Sequence, residues 1–162
     1  MRFDKIEVIN MRLVGNETRS INIDEKKNIL ILLGDNGFGK TTMLDAMATA
    51  MAPFAAQFPG IPDFQLSDFD VHLNRHGHRA KYLTVSARFK DGDADLSSLR
   101  YRKGTTNTPK ANYAELKLLA NAKKDAIIAG EQNVELPVFA YYGTGRGKFH
   151  VPERKRGFQP AF

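Results

Sequence analysis

The stretch "NILILLGDNGFGKTTML", residues 28 to 44, constrains the fold more than any other part of the chain. Its first half is a continuous run of β-branched residues and leucines, the pattern of a strand buried on both faces of a sheet. The run leads directly into glycines at 34, 37 and 39. After Lys40, apolar residues recur at helical spacing as Met43, Met47, Ala50, Met51 and Phe54. This predicts a helix from about 39 to 52, disturbed or ended by Pro53. Strand, glycine-rich loop and helix in that order are the context of the pattern G-x-x-x-x-G-K-[ST], filled here by Gly34, Gly39, Lys40 and Thr41. Glycines let consecutive backbone N–H groups curl inward into an anion nest at the positive end of the helix dipole. In such a cradle Lys40 reaches β and γ phosphates, the Thr41 hydroxyl ligates Mg²⁺, and Thr42 donates to an α phosphate. A ligand-free glycine turn from strand to helix has no need of Lys followed by Thr.

Elsewhere the chain alternates strand and helix signals. "KIEVI" and "RSINID" carry strand spacing on either side of the turn-forming "VGNET". Residues 57 to 78 are irregular and predict loop. "KYLTVSARF" alternates as a strand, "DGDADLSSL" reads as a polar turn, and "SLRYRKG" is its hairpin partner. Tyr113, Leu116, Leu119, Ala120, Ile127 and Ile128 mark one face of a helix within 112 to 129. "LPVFAYYG" reads as another buried strand. The expectation is one α/β unit with no internal repeat.

Composition excludes several classes. The chain has 162 residues, 42% hydrophobic and 26% charged, which suits a globular protein with its own core. It has no Cys, so neither disulfides nor thiolate metal sites arise. Its apolar runs are too short to span a bilayer, and charges occupy the opening residues where a signal peptide needs an apolar segment. No membrane partner and a cytoplasmic setting are expected. His72, His76 and His78 lie close in sequence, but their spacing fits no helical ligand pair and Arg75 and Arg79 flank them. The net charge is +6, and residues 146 to 156 concentrate five Lys or Arg against one Glu. That basic tail reads either as a contact for nucleic acid, with Phe149 and Phe158 stacking on bases, or as a solvated charged end.

The inner loop residues narrow the class. Gly34, Asn36, Gly37, Gly39, Lys40 and Thr41 form "GxNGxGKT", which resembles the Walker A loop of ABC-type ATPases, especially the RecF, SMC and OLD groups. "KIEVINMRLVGNETRSINI" is similar to that family's opening strand, Asn-aromatic-Arg corner and returning strand. The resemblance implies that Arg12 lies beside the nucleotide phosphates. The sequence departs from the pattern at Met11, where an aromatic is usual, and at Phe38, which is bulky where the family is small and would change how the loop is covered. "LPVFAYYGTGRG" is similar to a segment of bacterial AAA-family, ABC-like ATPases, relatives of which occur in Septu-type and retron-associated anti-phage systems. It stands roughly where the Q-loop of an ABC head follows its strand, which implies that Tyr142, Gly143 and Arg146, within 141 to 147, approach a γ phosphate or a second subunit. A glycine turn leaving a strand is the equal alternative. The similarity is weak between about 57 and 110.

The implied fold is an α/β P-loop NTPase of ABC-ATPase type, with a mixed sheet and a β-rich N-terminal part. Residues 1 to 162 would be its N-terminal lobe, with the P-loop at 34 to 42. No apolar run ending in Asp-Glu follows the P-loop and no LSGGQ-like signature occurs, so no catalytic acid is identified. The expected ligands are ATP and Mg²⁺. The expected partners are a C-terminal lobe carrying the missing elements, a second copy in an ATP-dependent homodimer, and DNA or an effector protein. Two other readings stay open: a self-contained P-loop small-molecule kinase, with Arg146, Arg154 and Arg156 in a lid, and a basic nucleic-acid-binding module with a vestigial pocket.

Overall fold

The computed structural model describes residues 1–27, 29–61, 63–103 and 111–143. The basic tail, Arg146 and the end of the 141–147 segment lie outside these residues.

Four strands form one antiparallel sheet: β1 (Arg2–Ile9), β2 (Arg19–Asn22), β3 (Tyr82–Asp91) and β4 (Ala94–Lys103), in the order β2-β1-β3-β4. Alternation explains which face is covered. β3 buries Leu83, Val85, Ala87 and Phe89 at every second position, and β1 buries Ile6 and Val8 beside them. Phe3 packs on Phe89 at a ring separation of 4.6 Å. β3 and β4 pair from Tyr82–Lys103 to Asp91–Ala94. Their two-residue connection has Gly92 at φ 61, a left-handed value at the first central position that suits a primed hairpin turn. "DGDADLSSL" is therefore mostly strand rather than the polar turn its composition suggests, because two residues suffice to reverse the chain.

α1 (Lys40–Ala55) lays Met43, Ala46, Ala50 and Phe54 into the same core as the sheet. It continues through Pro53, beyond the stop expected there. A proline removes one N–H and crowds the carbonyl four residues back, and here burial of Ala52, Pro53 and Phe54 outweighs that loss. α2 (Ala114–Ile128) adds Leu116 and Ala120 to the core, while Ile127 and Ile128 at its far end remain exposed. Only the N-terminal half of its apolar face is used.

The two apolar runs depart most from expectation. Neither "NILILLG" nor "LPVFAYYG" is a strand among the described residues, and Leu33 is 88% and Val138 94% exposed. An apolar run states a demand for burial without naming the neighbour that meets it. The four-stranded sheet supplies none, since its strands pair with one another and include neither segment. The second run instead lies against the far end of α1, with Phe139 edge-on to Phe54 at 6.2 Å and Tyr141 edge-on to Phe64 at 6.1 Å.

Candidate nucleotide site and the corner behind it

The loop between the first apolar run and α1 takes the form that its glycines permit. Gly37 and Gly39 have φ 88 and 83, left-handed values at which a side chain would be strained. Gly39 is the N-cap of α1 and offers no side chain, and no acidic residue occupies the first helical turn. The first N–H groups of a 16-residue helix thus have no side-chain cap, at the end where the dipole is positive. Lys40 folds across the loop and donates from Nζ to the carbonyls of Gly34 and Asp35, each at 2.7 Å. Thr41 is exposed beside it, whereas Thr42 is buried.

A cavity of about 610 Å³ opens against this loop. Asn36, Gly37, Phe38 and Gly39 form one wall, and Leu13, Glu17, Arg19 and Ile21 of the corner and returning strand contribute to the other, while Lys40, Thr41 and Thr42 lie outside the lining. Phe38 is 77% exposed at its mouth. The donor set fits a polyphosphate: an uncapped helix start, left-handed glycines, one ammonium and a free-standing threonine hydroxyl, with no carboxylate in the first turn of the helix. Lys40 and Thr41, at the helix start beside the cavity rather than in its lining, would hold such a group and its cation, and Phe38 would lie beside the sugar or base.

Arg12, expected beside the phosphates, is bound to Asp45 and Asp70 and, like Lys40, Thr41 and Thr42, is not part of the cavity wall. Asn10 and Arg12 both have left-handed backbones, φ 56 and 51, which places two non-glycine residues in a sparsely used region. The corner is held there by Asn10 N–H on the Gly15 carbonyl (2.8 Å), Arg12 N–H on the Asp70 carbonyl (2.7 Å) and His72 N–H on the Asn10 carbonyl (2.8 Å). Met11, where the resemblance leads one to expect an aromatic, is fully buried as a core side chain. The Arg12 guanidinium donates from Nε to Asp70 Oδ1 at 2.9 Å and from Nη1 to Asp45 Oδ2. Asp45, one and a half turns into α1 and only 5% exposed, also accepts from the Tyr141 hydroxyl on its other oxygen. Asp70 is further bonded by the Ser67 N–H (2.8 Å) and hydroxyl (2.7 Å). The His72 ring completes the cluster, Nδ1–H donating to the Arg12 carbonyl at 2.6 Å.

Electrostatics follow from these contacts. Burial, the largest single influence on Asp70, pushes its pKa up, but the Ser67 and Arg12 hydrogen bonds together with the Arg12 charge outweigh it and hold it below the ordinary carboxylate value. Burial likewise opposes the Arg12 charge, yet Asp45 and Asp70 leave its pKa raised. The Tyr141 phenol is pushed up to about 12, first by burial and then by its bond to the Asp45 carboxylate and the charge there. Replacing Tyr141 by Phe is expected to abolish a phenol titration near pH 12 in ultraviolet difference spectra and to cost about 1 kcal/mol in denaturant unfolding. Its stabilisation is whole below the ordinary tyrosine value and is lost as pH rises through the folded one.

Sequence reasoning did not single out Asp45, Asp70 or Tyr141. The available signal was a carboxylate inside the apolar repeat of α1, since a buried acid needs a cation or donors. Of the Q-loop-like candidates, Tyr142 is exposed and Gly143 packs beside the Tyr141 ring, near α1 through the Asp45 bond. Arg146 lies outside the described residues. Among the described residues no three His, Asp or Glu side chains are grouped to hold a metal, so the three histidines make no such site. Among those residues no helix is long and apolar enough to cross a membrane.

No curated protein matches the chain in sequence. In structure it is similar to a chain of an SMC ATPase, described for ATP-driven dimerization and DNA-stimulated activation, with TM-score 0.52 and 20% identity over 75% of this chain and 79% of the other. It is also similar to an SmcHead solved bound to the C-winged helix domain of ScpA, with TM-score 0.52 and 19% identity over 74% of this chain and 40% of that one. These likenesses give the fold, an α/β ATPase head of ABC type. Residues 5–159 match the AAA domain family, nearly the whole chain, and the protein belongs to that family.

Proposed function

We propose that residues 1–162 are the ATP-binding lobe of an ABC-like ATPase, which turns ATP over only when a second lobe supplies a carboxylate for the attacking water and a signature loop. The observation that carries this reading is the uncapped start of α1 behind the Lys40 loop. Lys40 serves the β and γ phosphates, Thr41 the Mg²⁺ and Thr42 the α phosphate; Asn36, Gly37, Phe38 and Gly39 line the pocket. When bound, Mg²⁺ would neutralise phosphate charge. Arg12 serves through Asp45, fixing α1 to the corner, and Tyr142, Gly143 and Arg146 approach the γ phosphate or a partner subunit. ATP-dependent dimerisation and a DNA-related task are supported by the SMC ATPase to which the fold is similar. A role in anti-phage defence is supported by the resemblance of "LPVFAYYGTGRG" to Septu-type and retron-associated ATPases.

Titrating ATP against the chain, with and without Mg²⁺, tests the proposal. Binding without turnover is expected. Thr41→Ala is expected to remove most of the gain in affinity that Mg²⁺ gives the wild type, about tenfold, while ATP binding in EDTA stays unchanged. Steady turnover by the chain alone, lost in Lys40→Ala, would overturn the division of labour between lobes.

A further inference from the structure

Between Asp70 and Asp91 the sequence contains no acid, yet it carries Arg75, Arg79, Lys81, Arg88, Lys90 and three histidines. Arg88 and Lys90 on β3 are neutralised by Asp4 and Glu25. What remains is the turn before β3. Leu73 and Arg79 bridge one another in antiparallel fashion, and Arg75, His76, His78, Arg79 and Lys81 are all exposed around it. Neither Arg75 nor Lys81 forms an ion pair among the described residues. Arg79 feels Asp68, but that carboxylate is held by Arg102 at 2.7 Å.

We infer that this turn is a docking site for the phosphate backbone of a nucleic acid. The inference deepens the proposed function by naming the surface that meets DNA, and it is independent of the basic tail. Three observations carry it. First, the turn is already rigid: the Asn74 side-chain oxygen accepts from the N–H groups of His76 and His78, both at 2.9 Å, and Gly77 at φ 77 closes the bend. Little ordering is left for a ligand to impose. Second, a cavity of about 310 Å³ at its base is lined by Asn10, Asn16, His72, Asn74, His78 and Arg79, donor-rich groups without one carboxylate. It shares Gly15 and Asn16 with the P-loop cavity, so a strand seated there lies next to the nucleotide. Third, the tip Asn-Arg-His-Gly-His carries only polar and cationic side chains, and the one aliphatic group of the turn, the half-exposed Leu73, sits at its base, too little for the apolar centre of a protein interface. Several cations in a row, with imidazole and guanidinium planes beside them, suit a repeated phosphate and its bases.

Fluorescence polarisation of short labelled single-stranded and duplex DNA, read over a range of salt, tests the inference. The double variant Arg75→Ala/Lys81→Ala is compared with Lys26→Ala/Lys27→Ala, which removes the same charge from an exposed turn elsewhere. The hairpin variant is expected to lose roughly tenfold in affinity at low salt and to lower the slope of log K against log salt by roughly 1.5, with the control unchanged. The polarisation is read without nucleotide, so failure of the nucleotide reading and failure of this one are separable. Equal loss in both double variants would overturn the site, as would wild-type binding by the hairpin variant or no DNA binding by the wild type. Hairpin-dependent binding to phosphatidylserine vesicles without binding to DNA would overturn it in favour of a membrane surface. Hairpin-dependent capture of polyglutamate in place of DNA would do so in favour of an acidic protein.

Discussion

Lys40→Ala is expected to abolish measurable ATP binding, a loss of about 3 kcal/mol or roughly a hundredfold in affinity, while leaving the fold intact. The magnitude follows from what the side chain can do. An ammonium facing a polyphosphate makes charge-assisted hydrogen bonds, about twice as strong as neutral ones, and nothing else in the first turn of α1 carries positive charge. The fold should be indifferent, because the Lys40 contacts are two carbonyls of an exposed loop, Gly34 and Asp35. Those carbonyls regain water when the ammonium is removed. Isothermal titration calorimetry with ATP, alongside circular dichroism melting, measures both halves. Retained ATP affinity in a folded variant would remove the P-loop from the binding site.

The second large effect belongs to Asp45. Asp45→Ala is expected to destabilise the chain by about 3 kcal/mol in urea unfolding, near the lower end of the range for breaking a buried pair. Arg12 keeps Asp70 and is a third exposed to water, which limits the cost. Tyr141 loses its acceptor as well, so the segment around residues 136–142 is expected to become more open to proteolysis at low protease levels. Asp45→Asn retains an oxygen for the phenol and should lose only part of this. Acid acts on the same cluster through Asp70. Its folded pKa is lowered, so its stabilisation is complete above the ordinary carboxylate range and is lost as pH falls through the folded value. The melting temperature should therefore drop on acidification below about pH 4, and Asp70→Asn should flatten that part of the curve. A wild-type melting profile in Asp45→Ala would mean that the carboxylate carries no structural role.

Much of the architecture is legible in the sequence because the periods are local. The alternation Leu83, Val85, Ala87, Phe89 gives β3 its buried face, and Met43, Ala50 and Phe54 give α1 its own. The loop before α1 is readable for a different reason: its glycines announce the left-handed backbone that Gly37 and Gly39 adopt. What cannot be read is set by partners distant in sequence. Ile31 and Leu33 look like core and are exposed, since a doubly buried strand needs neighbours that the four-stranded sheet does not provide. Arg12 could be matched to the corner arginine of relatives, yet its placement depends on Asp45, 33 residues away, and Asp70, 58 away. Asp45 itself sits among apolar residues, and only the fold shows that its two oxygens join the corner to the Tyr141 segment.

The central claim is that a nucleotide's phosphates sit at the N-terminus of α1. Amide hydrogen exchange of the chain with and without ATP and Mg²⁺ tests it most directly, because the groups proposed to bind are themselves backbone N–H donors. The account predicts slowed exchange from Gly34 to Thr42 that is absent in Lys40→Ala. ATP-dependent protection confined to other segments, or unaltered by Lys40→Ala, would contradict it.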